Sequence, residues 1–199
     1  ADGHTLDRWP RASVSAWQVM ALESAKLGGI EVPKSVFARA QKFLVNSWDP
    51  SRSAFRYSHD PSRLRSDYPL LPGSTPASMF ALSLLGADIG APQFAPARDF
   101  VHARSPNGYR FSGDDDFVYK AQGNLYFWYY GTLAMFRAGG DDWQRWNTAM
   151  KETLVPAQDP DGSWRPISIY AGYAQDSDGD RCYTTAMNVL TLEVYYRYF

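Results

Sequence analysis

Three short turn segments recur along the chain at nearly constant spacing, and that recurrence restricts the fold more than any other feature. Trp48-Asp49-Pro50, Arg104-Ser105-Pro106 and Gln158-Asp159-Pro160 each follow an amphipathic stretch, and their prolines lie 56 and 54 residues apart. Each precedes an aromatic-bearing segment: Ala54-Phe55-Arg56-Tyr57, Asn107-Gly108-Tyr109-Arg110-Phe111 and Asp161-Gly162-Ser163-Trp164. A fixed period of this length marks an architecture of stacked supersecondary units. Counting back about two periods from Gly108 reaches Asp2-Gly3, so the chain is expected to begin within a repeat.

Two helices fit into each period. The first is apolar around most of its circumference: Ser13 to Leu27, Thr75 to Ala87, Leu125 to Ala138 and Tyr183 to Tyr198. A helix apolar on all sides is expected to be buried. The second is amphipathic. In Pro33 to Val45, Val36, Phe37, Ala40, Phe43 and Leu44 form one face, with Lys34, Arg39 and Lys42 on another. The third such helix runs from about Trp143 to Val155, with Trp146, Met150 and Leu154 inward. Punctuation agrees: Gly28-Gly29, Gly90 and Gly139-Gly140 suit helix ends, Pro33 and Pro92 suit first turns, and Asp141 suits an N-cap. The pattern predicts an all-α fold of three helical hairpins plus one further buried helix, inner helices side by side and each backed by an outer one. Such a layer curves into an α/α toroid or solenoid segment spanning residues 1–199, built from hairpin repeats of about 54 residues.

Composition narrows the function classes. With 45% hydrophobic and 21% charged residues the chain has the make-up of a folded domain. A net charge of −1 lacks the basic excess of a nucleic-acid binder. Cys182 is the single cysteine, so no intramolecular disulfide forms. Apolar stretches such as Leu125 to Phe136 fall short of the ~20 residues of a membrane span. Aromatic residues reach 16%, more than turn anchors such as Trp164 and Phe111 account for. Trp17, Tyr126, Trp128, Tyr129, Tyr130 and Tyr183 lie near the starts of inner helices and are the candidate ligand-binding rings, Trp128 and Tyr129 foremost. Rings there could stack on a sugar, bury an isoprenoid or face a cation.

The segment Lys151 to Trp164, with Gln158-x-x-x-Gly162-x-Trp164, resembles the QW repeat of squalene and oxidosqualene cyclases. The whole layout resembles the terpenoid cyclase/protein prenyltransferase superfamily, nearest to uncharacterised bacterial proteins with prenyltransferase and squalene oxidase repeats. Segments like Trp128-Tyr129-Tyr130-Gly131-Thr132, Tyr183-Thr184-Thr185-Ala186 and the final Leu-Glu-Val-Tyr-Tyr-Arg-Tyr carry this likeness. Trp48 and Arg104 replace the glutamine in the first two copies. The resemblance implies that the glutamine satisfies backbone groups at a helix end while the tryptophan stacks nearby, a motif of fold and not of catalysis. It also implies that the chain is the C-terminal part of a longer toroid.

Two family chemistries have partial counterparts. Asp176-Ser177-Asp178-Gly179-Asp180 resembles the Asp-rich acid motif of cyclases, but aligning the apolar helix puts Tyr183 and Thr184 where the acidic pair would stand. Asp176, Asp178 and Asp180 also alternate like calcium ligands, yet Arg181 occupies the EF-hand glycine position and Met187 the terminal glutamate position. Asp180-Arg181-Cys182-Tyr183 resembles the segment supplying two zinc ligands in prenyltransferases, while His4, His59 and His102 do not match the family's histidine. The readings favoured instead are a solvated or helix-capping acidic loop, a buried or semi-buried structural cysteine and no cofactor, and Asp114-Asp115-Asp116 reads as a solvated loop. With both constellations incomplete, the expected function is a non-catalytic or degenerate toroid binding or interaction module. Its ligand would be an isoprenoid or glycan, and its partner another protein or the remainder of a parent chain. The alternatives are a terpenoid cyclase or prenyltransferase-like enzyme domain and a carbohydrate-active α/α toroid.

Overall fold

The computed structural model describes residues 9–59, 70–167 and 181–197. It is all-α apart from one short hairpin. In chain order the elements are α1 (Ala12–Leu27), α2 (Lys34–Asn46), β1 (Trp48–Asp49), β2 (Ala54–Phe55), α3 (Ser74–Leu84), α4 (Ala95–His102), α5 (Asp114–Tyr119), α6 (Leu125–Ala138), α7 (Gly140–Leu154), α8 (Arg181–Leu192) and α9 (Val194–Arg197). Strands β1 and β2 pair antiparallel, with Trp48 opposite Phe55.

The helices pack in the order their apolarity dictates. Helix α3 lies against both α1 and α6, and α6 against both α3 and α8; α2 backs α1, α4 backs α3 and α7 backs α6. The two middle helices are buried along nearly their whole length, from Ser74 to Ser83 and from Leu125 to Met135 apart from Tyr126. Outer helices bury one stripe, as in α7, where Trp146, Met150, Thr153 and Leu154 point inward. The edge helices depart from the expectation of all-round burial. In α1 only Ala12, Ala16 and Val19 are buried while Val14, Trp17 and Leu27 are exposed, and in α8 Tyr183 and Val189 are exposed. Having an inner neighbour on one side alone, each leaves half its apolar circumference outside.

The hairpin of α6 and α7 is the tightest junction. Gly131 lets the Trp146 ring lie so close that a Cβ there would sit 2.4 Å from it. Trp146 donates its indole N–H to Thr132 Oγ1 at 2.9 Å, and Thr132 passes its proton to the Trp128 carbonyl at 2.8 Å. Across the outer layer Asp142 on α7 ion-pairs with Arg98 at 2.7 Å and contacts His102 Nε2 at 2.8 Å, tying α4 to α7.

Several sequence-based boundaries shift. Helix α3 ends at Leu84 and its left-handed glycine is Gly86, with φ of 93°, not Gly90. Gly90 is small for another reason: a Cβ would meet the Ala138 carbonyl at 2.9 Å. Asp141 is not the N-cap of α7. It lies with Asp142 in the first turn, and Gly139, at φ of 74°, both ends α6 and caps α7. Asp114, Asp115 and Asp116 open α5 instead of forming a loop, a favourable place for negative charge. The last apolar stretch breaks at Glu193 into α8 and α9. Phe111 is 65% exposed and anchors nothing. Tyr109 takes that role, donating to the Arg165 carbonyl at 2.8 Å and accepting from Asn188 at 3.1 Å. Among the described residues no helix is long and apolar enough to cross a membrane.

Candidate functional site

The starts of three inner helices converge on one cleft. Its walls are Ser13 from α1, Leu71 to Ser74 at the start of α3, Phe117 and Val118 from α5, Asn124 and Tyr126 from α6, and Tyr57; it encloses about 280 Å³. Apolar groups line most of it. Local sequence explains the shape. Gly73 is the N-cap of α3, and a Cβ there would meet the Tyr126 ring at 2.7 Å, so a glycine admits the ring that forms this wall. Asn124 caps α6, its Oδ1 accepting from the Phe127 amide at 3.0 Å.

The helix-start amides of α3 are already engaged. Ser74 N–H donates to the Leu71 carbonyl at 3.1 Å, Thr75 to Pro72 at 3.2 Å and Ala77 to Gly73 at 3.3 Å, and Pro76 has no N–H to offer. The Ser74 side chain is the exception. It is 2% exposed, lines the cleft, and its Oγ has no hydrogen-bond partner among the described residues. One turn deeper on the same face, Ser78 Oγ is equally buried and equally unpartnered. Ser83, Thr132 and Thr191 each donate to a carbonyl within the preceding turn, at 2.7, 2.8 and 2.7 Å, whereas Thr184 on α8 is buried and unpartnered like the two serines.

The six candidate rings fall into three environments. Tyr126 lines the cleft, and burial pushes its phenol well above the ordinary tyrosine range. It is therefore neutral at any ordinary pH. Trp17 and Tyr183 are at the surface, 39% and 43% exposed. Trp128, Tyr129 and Tyr130 are buried core. Consecutive residues on a helix point about 100° apart, so all three are covered only because α6 has neighbours all round. Trp17, Tyr126, Tyr129 and Tyr130 form a continuous cluster. Trp17 stacks on Tyr129 with centroids 5.7 Å apart and meets Tyr130 edge-on at 5.6 Å, and Tyr130 lies 4.8 Å from Tyr126 and 6.1 Å from Phe80.

Of the candidate metal ligands, Asp176, Asp178 and Asp180 lie outside the described residues, and Cys182 is exposed on α8, not buried or semi-buried as expected, because α8 is an edge helix with one face open. Among the described residues no three His, Cys, Asp or Glu side chains converge. His59 has a partner that sequence did not suggest: its Nε2 is 3.0 Å from Ser47 Oγ. Ser47 is fully buried and gives its single proton to the Phe43 carbonyl at 2.8 Å, so the imidazole donates to the hydroxyl, an arrangement unsuited to nucleophilic attack. A second cleft of about 280 Å³, lined by Val45, Trp48, Phe55, Leu82, Gln93, Phe94 and Ala97, lies towards the other end of α3.

The sequence singled out rings and acids and missed Ser74 and Ser78. The available signal was their spacing of four on an otherwise apolar helix. No family model, curated protein or solved structure matches this chain.

Proposed function

We propose that the chain is a binding module built as an α/α layer of the terpenoid cyclase/prenyltransferase type, with a small ligand held at the N-terminal ends of the inner helices. The observation that carries this reading is the cleft between the first turns of α1, α3 and α6. Its walls are mostly apolar, its volume is near the lower end of the ~300–1,000 Å³ typical of ligand pockets, and a buried hydroxyl faces it without a partner. Two recurring contacts support the toroid-type layer. The Phe55 amide donates to Thr75 Oγ1 at 3.0 Å after the first turn segment, and the Trp164 amide donates to Thr185 Oγ1 at 3.1 Å after the third. Each links an aromatic turn residue to the next inner helix.

A neutral fluorescent probe, N-phenylnaphthylamine, tests the binding reading. It is expected to bind the wild-type protein with an emission rise, and Val118→Trp, which fills the cleft, is expected to abolish that rise while circular dichroism stays unchanged. Equal emission from both proteins would sink the proposal.

A second reading, interaction with another protein or with more of a parent chain, is favoured by the apolar face that α1 leaves open at Val14, Trp17 and Leu27. An enzyme of the cyclase or prenyltransferase kind would require an acid or metal ligands at the cleft end of the layer. The run from Asp176 to Asp180 that would supply them lies outside the described residues.

A further inference from the structure

We infer that the cleft selects a neutral apolar molecule carrying one hydroxyl or carbonyl oxygen, with that oxygen hydrogen-bonded to Ser74. This rests on the binding reading above and specifies the chemistry of its ligand. Two independent features of the walls point the same way.

The first is what the helix start withholds. A helix N-terminus ordinarily attracts anions because its first amides point outward unpaired. Here the Ser74, Thr75 and Ala77 amides are held by the carbonyls of Leu71, Pro72 and Gly73, Pro76 carries no N–H, and at α6 the Phe127 amide is held by Asn124. At the start of α3 and at Phe127 a phosphate or carboxylate would meet engaged donors, and the described walls hold no cationic side chain to pair with it. An ionised headgroup leaving water for such walls would lose hydration without replacing it.

The second is what the helix start offers. A buried hydroxyl without a partner carries a desolvation penalty that disappears when an incoming atom completes the bond. Ser74 is a wall residue of the cleft, 2% exposed, and its Oγ has no hydrogen-bond partner among the described residues. Ser78 Oγ, one turn further along α3 and not a wall residue of the cleft, is likewise unpartnered. A hydroxyl both donates and accepts, which suits an alcohol or a ketone and gives no advantage to a pure hydrocarbon.

Displacement of N-phenylnaphthylamine by octanol, octane and octanoate tests the assignment. Octanol is expected to displace the probe about ten times more effectively than octanoate. The variant Ser74→Ala is expected to weaken octanol by about five- to tenfold, leave octane unchanged, and raise or preserve the melting temperature of the unliganded protein, since an unsatisfied group is removed. Octanoate displacing as well as octanol, or Ser74→Ala leaving the preference for octanol over octane intact, would overturn the inference while the binding reading stood. A probe that fails to bind the wild-type protein would overturn both.

Discussion

At Gly131 a hydrogen atom in place of a methyl group sets the distance between two helices. The Trp146 ring it faces is fully buried and tethered through its indole nitrogen to Thr132, so it has nowhere to retreat. Gly131→Ala is therefore expected to destabilise the protein by about 1–3 kcal/mol, the usual range for overpacking, read as a lower urea midpoint with an unchanged slope. The segment containing Gly131 was legible from sequence as a motif but not as a mechanism. Trp128 and Tyr129 stand foremost among the candidate ligand-binding rings, and both, with Tyr130, are buried. Ser74 was illegible for the converse reason. Whether a hydroxyl finds a partner depends on which carbonyls the fold brings within reach, and nothing local to Ser74 records that.

At the scale of elements, the turn segments act as clasps. Asp49 accepts from Ser51 and from Arg56 at 3.1 Å, and Asp159 pairs with Arg165 and, across to α8, with Arg181 at 2.7 Å. Burial works to raise the Asp49 carboxyl, but the bonds from Ser51 and Arg56 outweigh it and hold it below the usual range. A depressed carboxyl contributes its full stabilisation above its unfolded value of about 4 and loses it as pH falls through the folded value. Asp49→Asn is accordingly expected to be less stable than wild type at pH 7, with the gap closing in acid. Urea melts of both proteins across that range measure it. The segment from Gln158 to Trp164 works differently from what the resemblance implies. Gln158 closes its own turn on the Gly162 carbonyl at 2.9 Å, and Trp164, through its indole N–H to the Leu154 carbonyl at 2.9 Å, satisfies the end of α7. Helix positions were readable to within a few residues because apolar period, glycine and proline are local signals. Helix α5 and the β1–β2 hairpin were missed because elements of six and two residues are too short to show a period.

Taken whole, the layer has a protected middle and two open edges. Helices α3 and α6 are covered on all sides, whereas α1 and α8 each present apolar groups outward. If a second copy of the chain is the partner that covers the open face of α1, association that rises with concentration is expected in sedimentation velocity, and it is this self-pairing form of the interaction reading that the series tests. Val14→Lys with Leu27→Lys is expected to reduce it without altering helix content. A wild-type protein that stays monomeric across the concentration series would remove that reading and leave the cleft untouched. The order of helices was foreseeable because all-round apolarity ranks helices by depth. The exposure of the outermost two was not, since periodicity reports how apolar a helix is and says nothing about how many neighbours it receives.

The glycine shared by α6 and α7 has a consequence for how this chain tolerates change in length. Gly139 ends one helix and caps the next, so no spare residue separates them. An added or deleted residue there would turn α7 by about 100° and carry Trp146 away from the gap at Gly131. The stretch between α1 and α2, six residues from Gly28 to Pro33, has slack to absorb such an event. Of the hairpins in the layer, the one formed by α6 and α7 is the fixed ruler against which the spacing of the others can drift.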